Sequence, residues 1–263
     1  MSEVLAICPS RGRPRQAREA LASFLATAHG PGSRLVLVVD ADDPTLPEYP
    51  PEATYVVEPT GSMGGALALA LPAILGNATV VGMLGDDVRF RTPGWDVTFA
   101  KWLEARPGIA WGDDLNQSSR LPSHWWVSRS IVDVFGMAPS FLRHLYMDNY
   151  WLVMGQGAKC LRFFPDIVME HLHPDVGKSP TDDTYLRGSA PASPNATLDR
   201  AAFEAWRGSP EQLAAVEQLK DIVRANQTEV NVLADWHHQA LWESLALLFE
   251  GDALHRARVL VVR

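Results

Sequence analysis

The sequence predicts an α/β fold, a mostly parallel sheet flanked by helices, with a helical extension at its C-terminal end. Three observations carry this. Nearly all-apolar runs such as Arg34-Leu-Val-Leu-Val-Val39 read as strands covered on both faces. Stretches with apolar residues at helical spacing stand between them, and strand–helix alternation builds parallel sheets. The 47% hydrophobic share of 263 residues supplies the core of one large domain.

Each element has its own signal. Val4-Leu-Ala-Ile-Cys8 is the first strand, stopped by Pro9. Pro14 to Ala28 is helical, with Leu21, Phe24 and Leu25 at helical spacing, and His29-Gly-Pro-Gly32 ends it. Arg34 to Val39 is the second strand and Tyr55-Val-Val57 a short third. A helix over Gly64 to Leu75, a buried strand over Thr79 to Leu84, an amphipathic helix over Trp95 to Arg106 and a strand over Ile109 to Trp111 follow. Ser128 to Gly136 and Pro139 to Gly155 read as helices, and Cys160 to Phe164 and Ile167 to Met169 as two strands. Residues 177–194 are rich in Gly, Ser, Pro and Asp and read as a loop. Ser209-Pro-Glu-Gln212 is a capping box with proline at the first helical position; it opens a helix to about Ala225. A second helix, Thr228 to Glu250, carries the adjacent pair His237 and His238, read as surface or interface residues. The domain boundary falls near residue 195, giving a ligand-binding domain over 1–195 and a helical extension over 196–263.

Composition excludes several classes. The net charge, 23 − 31 = −8, disfavours a nonspecific nucleic-acid coat. Two cysteines, Cys8 and Cys160, make no disulfide framework and no CxxC metal pair. No basic segment followed by an apolar one opens the chain. The apolar stretch Ala66 to Leu75 contains Pro72 and is too short to span a bilayer. The expectation is a soluble cytoplasmic protein with no membrane partner.

In parallel α/β sheets, ligands bind beyond the carboxyl ends of the strands. Three such ends carry polar clusters. The first holds Pro9, Ser10, Arg11 and Arg13, whose guanidinium groups can fork onto phosphate oxygens. The second holds Asp40, Asp42 and Asp43, acceptors for a base or ribose; the third holds Gly85-Asp-Asp87, where Asp86 and Asp87 can bind Mg²⁺ or Mn²⁺. Each cluster alone is also what a plain turn looks like. Thr60-Gly-Ser-Met-Gly-Gly65 precedes a helix and can aim the N–H groups around Gly61 and Gly64 at an anion, or simply turn the chain. Trp125 and Trp126, and Trp95 farther upstream, are candidates for stacking on a sugar or acceptor, with burial in the core as the alternative. His171 and His173 alternate along an extended chain, so one of the two is expected to face a metal.

Taken in order, Ile7-Cys-Pro-Ser-Arg-Gly-Arg-Pro14, Val38-Val-Asp-Ala-Asp-Asp-Pro44 and Met83-Leu-Gly-Asp-Asp-Val-Arg-Phe-Arg-Thr-Pro-Gly-Trp-Asp96 resemble the GT-A nucleotide-sugar glycosyltransferases. The likeness is to family 2-like enzymes of bacteriophages and their actinobacterial hosts, and it spans about residues 4 to 185. It implies a Rossmann-like GT-A sheet in which residues 9–13 and 40–43 line the nucleotide pocket. It places Gly85-Asp-Asp87 where the family has Asp-X-Asp, with Gly85 departing from that pattern. It further implies a single C-terminal His on the metal and Asp148, in Met147-Asp-Asn-Tyr-Trp151, as general base; a helix cap is the alternative role for Asp148.

The resemblance thus implies a metal-dependent hexosyltransferase that uses Mn²⁺ or Mg²⁺ and moves a sugar from a nucleoside-diphosphate donor to an acceptor hydroxyl. The acceptor classes are a virion protein, a glycan or a hydroxymethylated DNA base, the last requiring a basic groove from Arg89, Arg91, Arg120, Arg129 and Arg143. The extension is a candidate for homodimerisation or acceptor docking. Competing readings are an NTP-dependent nucleotidyltransferase, whose Gly-rich loop and Lys are missing, and a non-catalytic nucleotide-sugar-binding protein, which Gly85 keeps open. A hydrolase built on Ser62 lacks Asp and His partners in order.

Overall fold

The computed structural model describes residues 2–188 and 193–225. A compact unit ends at Val223, and the predicted 228–250 helix with His237 and His238 lies outside the described residues. The strands are β1 (Val4–Ser10), β2 (Arg34–Asp40), β3 (Thr54–Val57), β4 (Val80–Met83), β5 (Val88–Phe90), β6 (Ile109–Asp113), β7 (Trp126–Ser128) and β8 (Leu161–His171). The helices are α1 (Pro14–Thr27), α2 (Met63–Ile74), α3 (Trp95–Ala105), α4 (Arg129–Phe135), α5 (Met147–Ala158), α6 (Asp183–Gly188), α7 (Pro194–Trp206) and α8, over 210–225.

The sheet order is β3-β2-β1-β4-β7-β6-β8-β5. β1 runs parallel to β2 and β4, β2 to β3, and β6 to β8. β7 is antiparallel to both neighbours, so it restores β6 and β8 to the direction of β1 and β4. The carboxyl ends of β1, β2, β4, β6 and β8 therefore share one edge of the sheet.

Each buried strand serves two cores because successive side chains point to opposite faces. On β1, Leu5 and Ile7 join a core with α2, α4, α5, α7 and α8. Val4, Ala6 and Cys8 join the other, with α1 and α3. Phe203, Val216, Leu219 and Val223 belong to the first core, so the boundary drawn near residue 195 falls inside this compact unit.

Several elements differ from the sequence reading. Pro9 does not stop β1: it is paired in register with Val38, and the strand runs to Ser10. The segment 139–146 is not helical; α5 begins at Met147, after Tyr146 turns into the left-handed region at φ 63°. The two strands read over 160–169 are one, β8, whose register jumps from Gly112–Phe164 to Asp113–Val168. β5 and β7 carry three residues each, too few for a periodic signal. The capping box forms with a shift: the Gln212 N–H donates to Ser209 Oγ, while the Gln212 side chain accepts from the Gly208 N–H.

The tryptophans offered for sugar stacking are core. Trp95, Trp125 and Trp126 are 1%, 1% and 0% exposed. Trp95 and Trp126 lie 4.5 Å apart within a cluster with Phe90 and Phe99. A ring without accessible faces cannot receive a sugar. Gly82 makes room for this cluster, since a Cβ there would stand 2.2 Å from the Trp126 ring. Gly82→Ala should therefore lower stability by about 1–3 kcal/mol, read from the midpoint of chemical denaturation. An unchanged midpoint would mean that Trp126 does not pack on β4.

Candidate functional site

The three polar strand ends converge as their topology requires, and β6 and β8 add a fourth and fifth. At the end of β1, Ser10 Oγ donates to Asp86 Oδ2 at 2.6 Å, and Arg13 Nη1 lies 3.1 Å from Asp86 Oδ1. The same Arg13 forks onto Asp182, with Nε and Nη2 at 2.7 and 2.6 Å. Arg11 Nη1 pairs with Asp40 at 3.0 Å and with the exposed Asp42 at 2.5 Å. Buried Tyr49, for which the sequence holds no signal, accepts the Arg13 N–H on its hydroxyl and lies 3.0 Å from Ser10 Oγ.

Asp86 and Asp87 are adjacent but differ in state. Burial and the charge of Asp87 push Asp86 up to about 6. Burial acts on Asp87 in the same direction, but it is outweighed by His171, whose Nε2 lies 3.4 Å away, so Asp87 stays ionised. Antiparallel pairing of β5 with β8 produces this contact: Val88 is in register with His171, and the Leu172 N–H donates to the Asp87 carbonyl. Arg89, buried on β5, donates to the Asp86 carbonyl and pairs with Glu19 of α1, bracing the turn from behind.

His171 and His173 do not face opposite ways. β8 ends at His171 and the chain turns into a short 3₁₀ segment at Pro174, so the two rings lie 4.9 Å apart. His173 Nδ1 is taken by the Asp175 N–H. His124, 5% exposed, packs its ring 4.8 Å from that of His171. Burial and the charge of His171 push His124 down to about 3, so it is neutral. Asp148, in the first turn of α5, accepts the Asn149 N–H and is raised to about 6, mainly by burial. Asp148 and His171 are near enough for each to act on the other's charge.

Other residues have different tasks from those expected. Asp43, 3% exposed, accepts the N–H groups of Gly12 and Thr45 and the Thr45 hydroxyl, so it shapes the first loop and has no face for a ribose. Gly64 donates to the Arg143 carbonyl, and a Cβ there would meet the Leu142 carbonyl at 2.6 Å; Ser62 caps α2 through the Gly65 N–H. Gly61 turns the chain at φ 68°. That glycine cluster is a helix start rather than an anion cradle. Residues 177–188 are docked, with Asp182 on Arg13 and the Thr184 hydroxyl on the Arg11 carbonyl. Four of the five arginines expected to form a basic groove are already paired: Arg89 with Glu19, Arg91 with Glu170, Arg120 with backbone carbonyls and Arg129 with Asp133.

Among the described residues, no three His, Cys, Asp or Glu side chains are gathered as a complete metal site. A pair is: ionised Asp87 beside His171, both about one-sixth exposed. One carboxylate and one imidazole suit Mn²⁺ or Mg²⁺ when ligand oxygens and water fill the remaining positions. Asp86 is occupied by Ser10 and Arg13 and does not extend the set.

No protein-family model and no curated protein matches this chain. Solved structures do match in fold. The mannosyltransferase PcManGT from Pyrobaculum calidifontis, in complex with GDP-Man and Mn²⁺, is 15% identical over 92% of this chain and 87% of its own, with a TM-score of 0.51. TarS of S. aureus, residues 1–349, is 10% identical over 86% and 72%, with a TM-score of 0.50. The same TarS segment in complex with UDP aligns over 83% and 69%, again at 10% identity and a TM-score of 0.50. These likenesses establish the GT-A type of α/β fold.

The geometry predicts a titration. Asp87, followed by Asp114 and Asp148, overcomes the effect of burial and holds the His171 pKa above its ordinary value of about 6.5. The folded chain thus binds this proton more tightly than the unfolded chain. Its contribution to stability is complete below about pH 6.5 and is lost as pH rises through the folded value. NMR titration should show the Asp87→Asn variant with a lower His171 pKa than wild type. An equal or higher value would separate the two side chains.

Proposed function

We propose that this protein is a divalent-metal-dependent glycosyltransferase that moves a sugar from a nucleoside-diphosphate donor to an acceptor hydroxyl. The observation that carries this reading is the Asp87–His171 pair, 3.4 Å apart on a GT-A fold, beside an Asp86 that is held by Arg13 of the loop after β1. A parallel sheet binds nucleotides at this edge. Asp40 and Asp42 face the base and ribose, and Arg11 and Arg13 face the phosphates. Both arginines are held by carboxylates, so a donor phosphate has to exchange with Asp42 and Asp182 for them.

A divalent ion held by Asp87 and His171 would supply positive charge to the departing diphosphate. The chain's own residues do the rest. The acceptor oxygen bonds to the anomeric carbon as the bond from that carbon to the diphosphate oxygen breaks. The acceptor proton passes to Asp148, whose carboxyl near 6 is largely ionised at neutral pH. One in-line displacement of this kind inverts the anomeric configuration. With four of the five groove arginines paired within the chain and a net charge of −8, a protein or glycan hydroxyl is the acceptor class, and the residues after 195 are proposed to dock it or a second copy of the chain.

Thermal melting against UDP-, GDP-, dTDP- and CMP-sugars, with and without Mn²⁺, tests the donor and metal together. A donor at 100 times its Kd should stabilise the fold by roughly 2.7 kcal/mol. Stabilisation should require one nucleotide and the metal, and it should vanish in Asp87→Ala. No shift with any donor would remove the donor reading.

Asp148→Asn should retain donor binding and lose transfer by about 10²–10⁴-fold. In wild type, kcat/KM should fall below about pH 6 as Asp148 takes up its proton; a bound cation would move that limb lower. Transfer at the wild-type rate in the variant would exclude Asp148 as the base.

A further inference from the structure

The Arg13 guanidinium has an inner and an outer edge. Its inner Nη1 donates to Asp86 Oδ1 at 3.1 Å, and the Asp86 side chain is 6% exposed. Ser10 holds the other Asp86 oxygen, and the Tyr49 hydroxyl accepts the Arg13 N–H, so this side is anchored. The outer edge, Nε and Nη2, forks onto Asp182, whose side chain is 34% exposed. Such a fork grips two oxygens of a phosphate as readily as two of a carboxylate. Of two ion pairs on one guanidinium, the more exposed is the more screened by water and the easier to exchange. Asp182 belongs to a strap, residues 177–188, that reaches back to the loop after β1. Gly177, in the left-handed region at φ 70° with no neighbour where a Cβ would stand, opens it. Asp182 Oδ1 also accepts the Tyr185 N–H at 2.8 Å, which aims the carboxylate from the first turn of α6. The Thr184 hydroxyl donates to the Arg11 carbonyl at 3.0 Å, and a Cβ on Gly12 would stand 3.4 Å from that hydroxyl oxygen. Two strap side chains thus close over Arg11-Gly-Arg13.

We propose that Asp182 is a built-in stand-in for a donor phosphate, so that the 177–188 strap shuts the Arg13 anion seat until a diphosphate displaces it. This rests on the reading of Arg13 as a phosphate-facing arginine. The exchange keeps Arg13 paired throughout: one oxyanion leaves the Nε–Nη2 fork as another enters, while Asp86 stays on Nη1. Asp182, once displaced, turns to solvent, where an ionised carboxylate is well hydrated. The strap therefore lowers the apparent affinity for the ligand by the fraction of molecules it leaves open. It acts on the oxyanion alone and needs no metal.

Inorganic pyrophosphate is the probe, with EDTA present so that no metal takes part. Asp182→Asn keeps an oxygen for the Tyr185 N–H and drops the charge on Arg13. By calorimetry it should bind pyrophosphate about tenfold more tightly than wild type. Asp133→Asn, which removes the same charge from the Arg129 pair on α4, should stay within about twofold of wild type. In wild type, pyrophosphate should speed trypsin cleavage after Lys178 and Arg187, because displacement frees the strap. Binding by Asp182→Asn that is equal to or weaker than wild type, or an equal gain in Asp133→Asn, would overturn the proposal. So would cleavage that pyrophosphate leaves unchanged or slows, since the strap would then stay put or close on the ligand. This last arm decides the matter even where the variant does not fold. The phosphate reading of Arg13 fails separately: pyrophosphate would bind Arg13→Ala as tightly as wild type, or would bind neither wild type nor Asp182→Asn.

Discussion

Negative charge concentrated at one sheet edge is the constraint that the site has to satisfy. Asp86, Asp87, Asp114, Asp148 and Asp182 all reach the edge where β1, β4, β6 and β8 end. A buried charge left unpaired costs several kcal/mol, so each carboxylate needs its own settlement. Asp87 has His171, Asp182 has Arg13, and Asp114 has three backbone N–H groups. Asp86 and Asp148 are instead shifted toward neutrality. Arg13, forked between Asp86 and Asp182, is the cation that this balance turns on. A site so acidic, with so few cations, is suited to a ligand that brings positive charge with it.

A second group of aspartates anchors backbone N–H groups, with a hydroxyl added at Asp43 and Asp96. Asp43 fixes the first loop through Gly12 and Thr45. Asp96, fully buried on α3, takes the N–H groups of His29 and Gly30 and the Ser33 hydroxyl, tying the helix to the turn after α1. Asp199 of α7 takes the N–H groups of Arg143, His144 and Leu145. This last clamp holds the loop that delivers Asp148, so a helix beyond residue 193 shapes the candidate site. Buried backbone donors must be paired, and a short carboxylate serves several at once.

The short antiparallel strand β7 has consequences out of proportion to its three residues. By reversing direction between β4 and β6, it returns the later strands to the orientation of the first ones. Asp114 and His171 reach the edge where β1 and β4 end for that reason.

The sequence by itself determined the α/β class, the strands β1, β2 and β4, the helices α1, α2 and α3, and the three polar strand ends, because long apolar runs and their punctuation are local signals. It also pointed to Asp87 and Asp148 through a local resemblance. Only the tertiary structure decided which aspartates are electrostatic and which are anchors: Asp42 and Asp43 are neighbours in sequence, yet one is exposed against Arg11 and the other buried under backbone. It likewise decided that Trp95, Trp125 and Trp126 are core, that His171 and His173 face one another, and that Asp114 joins them. These outcomes depend on which strands become neighbours and which face each side chain is given. Those are long-range pairings between residues tens of positions apart, and local pattern carries no record of them.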